Sequence, residues 1–262
     1  MKFLKYILAV GFILSWGPQV FAETPEEKGL AIAREGDSRY DDFHDFTAET
    51  IMTLKNKQGE TSVRYLRNKT FEVKDDGDKS LVIFNRPRDV KGTALLNFTH
   101  REGNDDQWLF LPALKRVKRI SSSNKSGPFM GSEFAYEDIT SQEVEKYTYK
   151  WLRDEECEGM PCFVVERFPT YENSGYTRQI VWSDQKEYRI WKIEYYDRKN
   201  SLLKTQTFHG YKKYLDRYWY ADEFRVVNHQ TGKSTRLEWK DYKFQVGLTE
   251  KDFRKNSLKR AR

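Results

Sequence analysis

Phe46-Thr47-Ala48-Glu49-Thr50-Ile51-Met52-Thr53-Leu54, then Asn56-Lys57-Gln58-Gly59-Glu60, then Thr61 to Val73, is the stretch that decides the fold. Its first nine residues alternate in side-chain character with period two, the pattern of a strand with one face buried. The Asn-to-Glu step is turn-forming, so the following run returns as an antiparallel partner. The same grammar recurs downstream. Asp75-Asp76-Gly77-Asp78 turns into a strand at 79–85, and 93–99 follows with Ala94, Leu96 and Phe98 on one face. Another turn at 102–106 leads into a strand spanning 107–120. After an irregular stretch, strands resume at 143–153, 162–168, 176–183, 187–197, 201–210, 217–228 and 233–245. About eleven strands joined by short turns predict a mainly β (α+β) protein, with one large curved antiparallel sheet. Helix is confined to the ends. Thr24-Pro25-Glu26-Glu27 supplies an N-cap, a proline at the first helical position and a capping-box glutamate for a helix reaching about His44. A short turn is expected at 248–253.

Composition narrows the class. The 262 residues carry 46 Lys+Arg against 40 Asp+Glu, a formal charge of +6, and 33% of the chain is charged. With a mean hydropathy of −0.86, that excludes a polytopic membrane protein. The 7 Trp, 16 Tyr and 17 Phe exclude a disordered chain. Residues 1–22 combine Lys2 and Lys5, an apolar run from Tyr6 to Trp16, the breaker Gly17-Pro18, and Val20-Phe21-Ala22. This is the pattern of a cleaved signal peptide. It predicts an exported, soluble protein with one domain over 23–262. In an oxidising compartment Cys157 and Cys162, with four residues between them and strands on both sides, suit a disulfide staple. A redox-active pair is the alternative, although the spacing is not Cys-x-x-Cys.

Catalytic signatures are absent: there is no nucleophile elbow, no His-Glu-x-x-His and no phosphate loop. His44, His100, His209 and His229 lie in unrelated segments. The sequence therefore predicts no enzyme, no metal site, no cofactor and no nucleic-acid partner. Two features invite a functional reading. Lys115, Arg116, Lys118 and Arg119 form a basic run able to meet lipid headgroups or a protein partner, or simply a solvated strand edge. Aromatic residues share strand faces at spacing two: Trp108 with Phe110, and Tyr147 with Tyr149 and Trp151; Trp191 and Tyr195 share a face likewise, with Ile193 between them. They either fill an ordinary core or line a cavity. The segment Gly127-Pro128-Phe129-Met130-Gly131 places large apolar residues in a loop, as a lid over an apolar pocket would.

Three blocks carry a family resemblance. Pro87-x-Asp89-x-Lys91-Gly92-Thr93-Ala94-Leu95-Leu96, the run from Trp108 through Pro112 to Ile120, and Phe129-Met130-Gly131-Ser132-Glu133-Phe134 resemble the outer-membrane lipoprotein-sorting protein family. That family is similar to the periplasmic lipoprotein carriers of the LolA and LolB type. The resemblance implies an incomplete β-barrel, with helices and lid loops over a concave face whose cavity accepts acyl chains. It also implies work beside inner-membrane transporters of the resistance-nodulation-division type, and no catalytic residues. The expected function is a carrier in the periplasm of a Gram-negative-type cell, moving a lipid or lipoprotein from an inner-membrane exporter towards the outer membrane. The expected cavity lining is Leu96, Phe98, Trp108, Phe110, Phe129, Met130, Phe134 and Trp151. Phe129 and Met130 act as a gate, where a charged substitution would abolish loading and leave the sheet folded. The protein would touch the membrane surface only transiently. Alternatives are a non-carrying accessory or scaffold subunit of such a transporter, and a glycan-binding sheet.

Overall fold

A computed structural model describes residues 23–259; the expected signal peptide lies outside them. Thr24 caps the first helix as its sequence requires. Its hydroxyl accepts the Glu27 N–H at 3.2 Å, and its own N–H donates to the Glu27 carboxylate at 2.8 Å. Helix α1 runs over Pro25–Ser38. It ends before His44 because Asp42 and His44 take left-handed φ values of 68° and 67°. The Glu72 carboxylate accepts both of their N–H groups, at 2.6 and 2.8 Å, and fixes that corner.

The strands are β1 (Asp45–Lys55), β2 (Thr61–Phe71), β3 (Lys79–Arg86), β4 (Ala94–Phe98), β5 (Asp106–Leu111), β6 (Arg116–Ile120), β7 (Tyr147–Cys157), β8 (Met160–Pro169), β9 (Tyr176–Asp184), β10 (Ile190–Asp197), β11 (Leu202–Tyr214), β12 (Tyr218–Asn228) and β13 (Ser234–Phe244). They form one open antiparallel sheet in the order β6-β5-β4-β3-β2-β1-β13-β12-β11-β10-β9-β8-β7. The expected class holds, with thirteen strands in place of about eleven. The stretch 107–120 is a hairpin, not a single strand. Pro112 opens a 3-10 turn and Lys115 adopts φ 47°, reversing the chain into β6. The first hairpin pairs Leu54 with Ser62 and Phe46 with Thr70, as its turn predicts. Among the described residues no helix is long and apolar enough to cross a membrane.

Each face of the sheet has its own cover. The segment 121–146, mostly 3-10 turns, runs from edge strand β6 to edge strand β7 across the inner face. It packs Phe129 and Phe134 on Met52, Leu66, Phe84, Leu95, Leu109 and Leu237. The C-terminal 3-10 helix Glu250–Phe253 and helix α2 (Lys255–Leu258) cover the outer face of β3–β5, with Phe253 and Leu258 each 1% exposed.

Cys157 and Cys162 are joined across the β7–β8 turn with their Cα atoms 5.8 Å apart. Closing so short a loop restricts the unfolded chain little, so the double Ser variant is expected to lose only about 2 kcal/mol. Urea midpoints compared with and without reductant check this; a loss above twice that size would give the bridge a larger role than stapling one hairpin.

Candidate functional site

Helix α1 lies against β7 at a single close point. A methyl group on Gly29 would sit 2.7 Å from the Trp151 backbone nitrogen, so only glycine allows the approach. From there α1 presents Ile32, Ala33 and Asp37 to the inner face, and Tyr40 follows just past its end. The Tyr40 hydroxyl donates to the Trp219 carbonyl at 2.8 Å, which ties the end of the helix to β12.

The 121–146 segment is held by buried polar pairs, not left loose. The Lys204 ammonium, from β11, reaches the Asp138 carboxylate at 2.5 Å and the Glu133 carbonyl at 2.9 Å. The Tyr176 hydroxyl donates to the same carboxylate at 2.9 Å. Glu137 accepts from the Tyr171 hydroxyl, the Ser174 hydroxyl and the Gly175 N–H. Lys125 and Lys146 share Asp105. Buried ions are costly unless paired or hydrogen-bonded in this way.

Between the sheet and these covers the packing leaves two hollows. The first, about 380 Å³, lies beneath α1 and is walled by Tyr149, Val165, Val181, Ile193, Tyr195 and Phe208 of β7–β11, with β12 at its far side. The second, about 460 Å³, is walled by Met52, Leu66, Val82, Leu237 and Trp239 together with Phe129 and Phe134. Tyr40, Asp138, Gln142, Gln206, Tyr220 and Phe224 line both, so the chambers meet at a polar waist. One wall reaches β2 and β3 while the other reaches β7 and β8, so the open sheet wraps around the pair.

The rim of the second chamber is acidic. Burial, then the carboxylates of Glu143 and Glu72, pushes Asp78 up to about 7. Burial, then Asp37, pushes Glu143 to about 7. Burial, then Asp41, pushes Asp37 to about 6. Each value lies above the ordinary 3.8 or 4.5, so the folded state binds more protons than the unfolded one between about pH 4 and 7. Stability contributed by these groups is complete below pH 4 and is lost as pH rises through 6 to 7. Urea midpoints are therefore expected to fall across that window, and Asp78→Asn should flatten the fall; a rising profile would contradict the assignment. Among the described residues no group of His, Cys, Asp and Glu is arranged to hold a metal ion.

The residues expected from sequence divide into three groups. Phe129 and Phe134 do line the second chamber, and Met130 packs against the same cluster. Leu96, Phe98, Trp108 and Phe110 do not line either one. They face outward, with Leu81 and Ile83, beneath Phe253 and Leu258, and the Lys255 ammonium sits 4.0 Å from the Trp108 ring centre. Trp151 packs beside α1 under Lys28, 3.6 Å from its ring centre, with its indole N–H donating to Asp154. The physical reason is parity: the neighbours Leu95 and Leu109 carry the inward direction on β4 and β5. Lys115, Arg116, Lys118 and Arg119 are exposed on the hairpin at the open β6 edge, beside Leu114, which is 67% exposed. Arg119 pairs with Asp106 at 2.5 Å. Phe129 is 1% exposed, wedged against Phe84 with ring centres 5.8 Å apart. The Met130 carbonyl accepts from Arg64. The supposed gate is thus bolted into the core.

The fold is thus one open antiparallel sheet with a strap and a helix over two apolar chambers, and it is shared by solved structures. A LolA-superfamily protein of Nitrosomonas europaea superposes with a TM-score of 0.71 at 20% identity, covering 87% of this chain and 98% of that one. An outer membrane lipoprotein-sorting protein domain of Vibrio parahaemolyticus is 58% identical, with a TM-score of 0.88, over 89% of this chain and 99% of that one. A DUF1329 family protein of Desulfovibrio piger is 31% identical, with a TM-score of 0.85, over 90% and 99%. A family model described as an uncharacterized protein matches residues 76–260. Comparison with curated proteins yields no match. The chain belongs to the outer membrane lipoprotein-sorting protein family and to the DUF1329 family.

Proposed function

We propose that this protein is a periplasmic carrier that shelters the acyl chains of a lipid or lipoprotein between its sheet and its strap. It would take its cargo from an inner-membrane exporter and move it towards the outer membrane. The observation that carries this reading is the pair of apolar hollows of about 380 and 460 Å³. Protein interiors are otherwise packed to the density of organic crystals, and hollows of this size are those of ligand sites. Each methylene moved from water into such a space gains about 0.8 kcal/mol. The 58% identity to a protein described as lipoprotein-sorting supports the same class of cargo. The Val20-Phe21-Ala22 site supports export. A transporter of the resistance-nodulation-division type remains the proposed donor, with Leu114 and the exposed bases 115, 116 and 118 as the contact for it or for an anionic membrane surface. The protein acts by binding and release, not by catalysis.

The test is mass spectrometry of organic extracts from protein purified from periplasm without detergent. A lipid in stoichiometric amount is expected. A protein that comes out empty and also takes up no hydrophobic probe would overturn the carrier reading in favour of a scaffold subunit.

A further inference from the structure

Among the described residues four cationic side chains are buried: Lys125 at 4% exposure, Lys146 at 7%, Lys204 at 2% and Arg167 at 8%. The three lysines are paired with carboxylates, Lys125 and Lys146 with Asp105 and Lys204 with Asp138. Arg167 has no such partner. Among the described residues no Asp or Glu oxygen lies within ion-pair distance of its guanidinium. Its Nε and Nη2 both donate to the Gln179 side-chain oxygen, at 2.8 and 2.6 Å, and Nη2 stands 3.5 Å from the Gln142 oxygen. Nη1 makes no hydrogen bond. The group lies over the Tyr147 ring at 4.6 Å. Its surroundings are therefore neutral, and it belongs to the wall of the first chamber.

A guanidinium taken out of water without an anion is among the costlier things a fold can hold. The surrounding hydroxyls do not offset it, being committed elsewhere. Tyr149 donates to the Val144 carbonyl, Tyr195 to Gln206 and Tyr147 to Gln142. Asp138, the strap carboxylate that lines the same chamber, is already neutralised by Lys204 at 2.5 Å. The other carboxylate of the chamber wall, Asp37, belongs to α1 and makes no ion pair with Arg167. What the site lacks is a planar or tetrahedral anion able to take the free edge of the fork.

We infer that Arg167 receives the anionic head of a long-chain amphiphile, a carboxylate or a phosphate monoester, whose chain lies along Val165, Val181, Ile193 and Phe208. This rests on the carrier reading and narrows it: one chamber selects its cargo by charge as well as by apolar burial.

Detergent-free protein is titrated with dodecanoate, 1-dodecanol and monododecyl phosphate, three probes of one chain length. Dodecanoate or the phosphate is expected to bind at least tenfold more tightly than the alcohol, and whichever is tighter assigns the head. Arg167→Met is expected to remove that difference and retain alcohol binding. Where the single variant does not fold, R167M/Q179M removes both partners of the internal bond and serves instead. Equal binding of acid, phosphate and alcohol to the wild type overturns the charge selection alone. Unchanged preference in the variant does the same. Failure of all three to bind overturns the carrier reading with it.

Discussion

Lys204→Met is expected to lower stability by about 3–5 kcal/mol, the cost of leaving a buried carboxylate without its counter-charge. The Asp138 carboxylate is the point where the strap, β9 and β11 converge. It accepts from Lys204, from the Tyr176 hydroxyl at 2.9 Å and from the Ala135 N–H at 2.6 Å. Lys204 is 2% exposed and its partner's side chain 5%, so water cannot replace the lost charge. The paired variant K204M/D138L should recover part of the loss: no buried charge is left unpaired, but the Tyr176 hydroxyl and the Ala135 N–H lose their acceptor. Urea unfolding of the wild type, K204M and the pair decides the matter. A cost below about 1 kcal/mol for K204M would mean that the strap is not pinned there.

Phe129→Ala is expected to cost a similar amount, about 3–5 kcal/mol. At 1% exposure the ring touches Phe84 and Tyr136 and closes one wall of the second chamber. Its backbone is fixed by a hydrogen bond to the Phe134 carbonyl at 2.7 Å and by the bridge between Pro128 and Ala135. A carboxylate at this position should prevent folding, whereas the sequence led to the expectation of a folded sheet with failed loading. Circular dichroism of Phe129→Asp separates these: native ellipticity with no lipid uptake would restore the gate.

The hairpins were legible because most strands have one wet face, and Ile51, Met52 and their neighbours show it by alternating. The family was legible from the blocks around Trp108 and Phe129. The lining was not. Strands β3, β4 and β5 are buried on both faces, so Ala94-Leu95-Leu96 and Trp108-Leu109-Phe110 are apolar throughout and announce no direction. The outer cover comes from residues 250–258, whose sequence looks like an ordinary polar tail. Phe253 and Leu258 were its only signal. Arg167 was hidden for a different reason: a single basic residue in a β-strand usually points to solvent, and only the strap and α1 make its side a buried one.

The strand order also bears on how the molecule assembles itself. Strands β1–β6 form one meander and β7–β13 another, each made of neighbours in the chain. The join between them, β1 on β13, pairs Phe46 with Phe244 and Leu54 with Thr235. The most distant contacts in sequence therefore sit at the middle of the sheet, not at its rim. Loop-closure entropy opposes such contacts until the local hairpins exist. Each half can form its hairpins early and the central seam zips last, completing both chambers in one event. Until then the apolar residues that line the two chambers are open to the surrounding medium, so the chain is more prone to aggregate before the seam closes than after it.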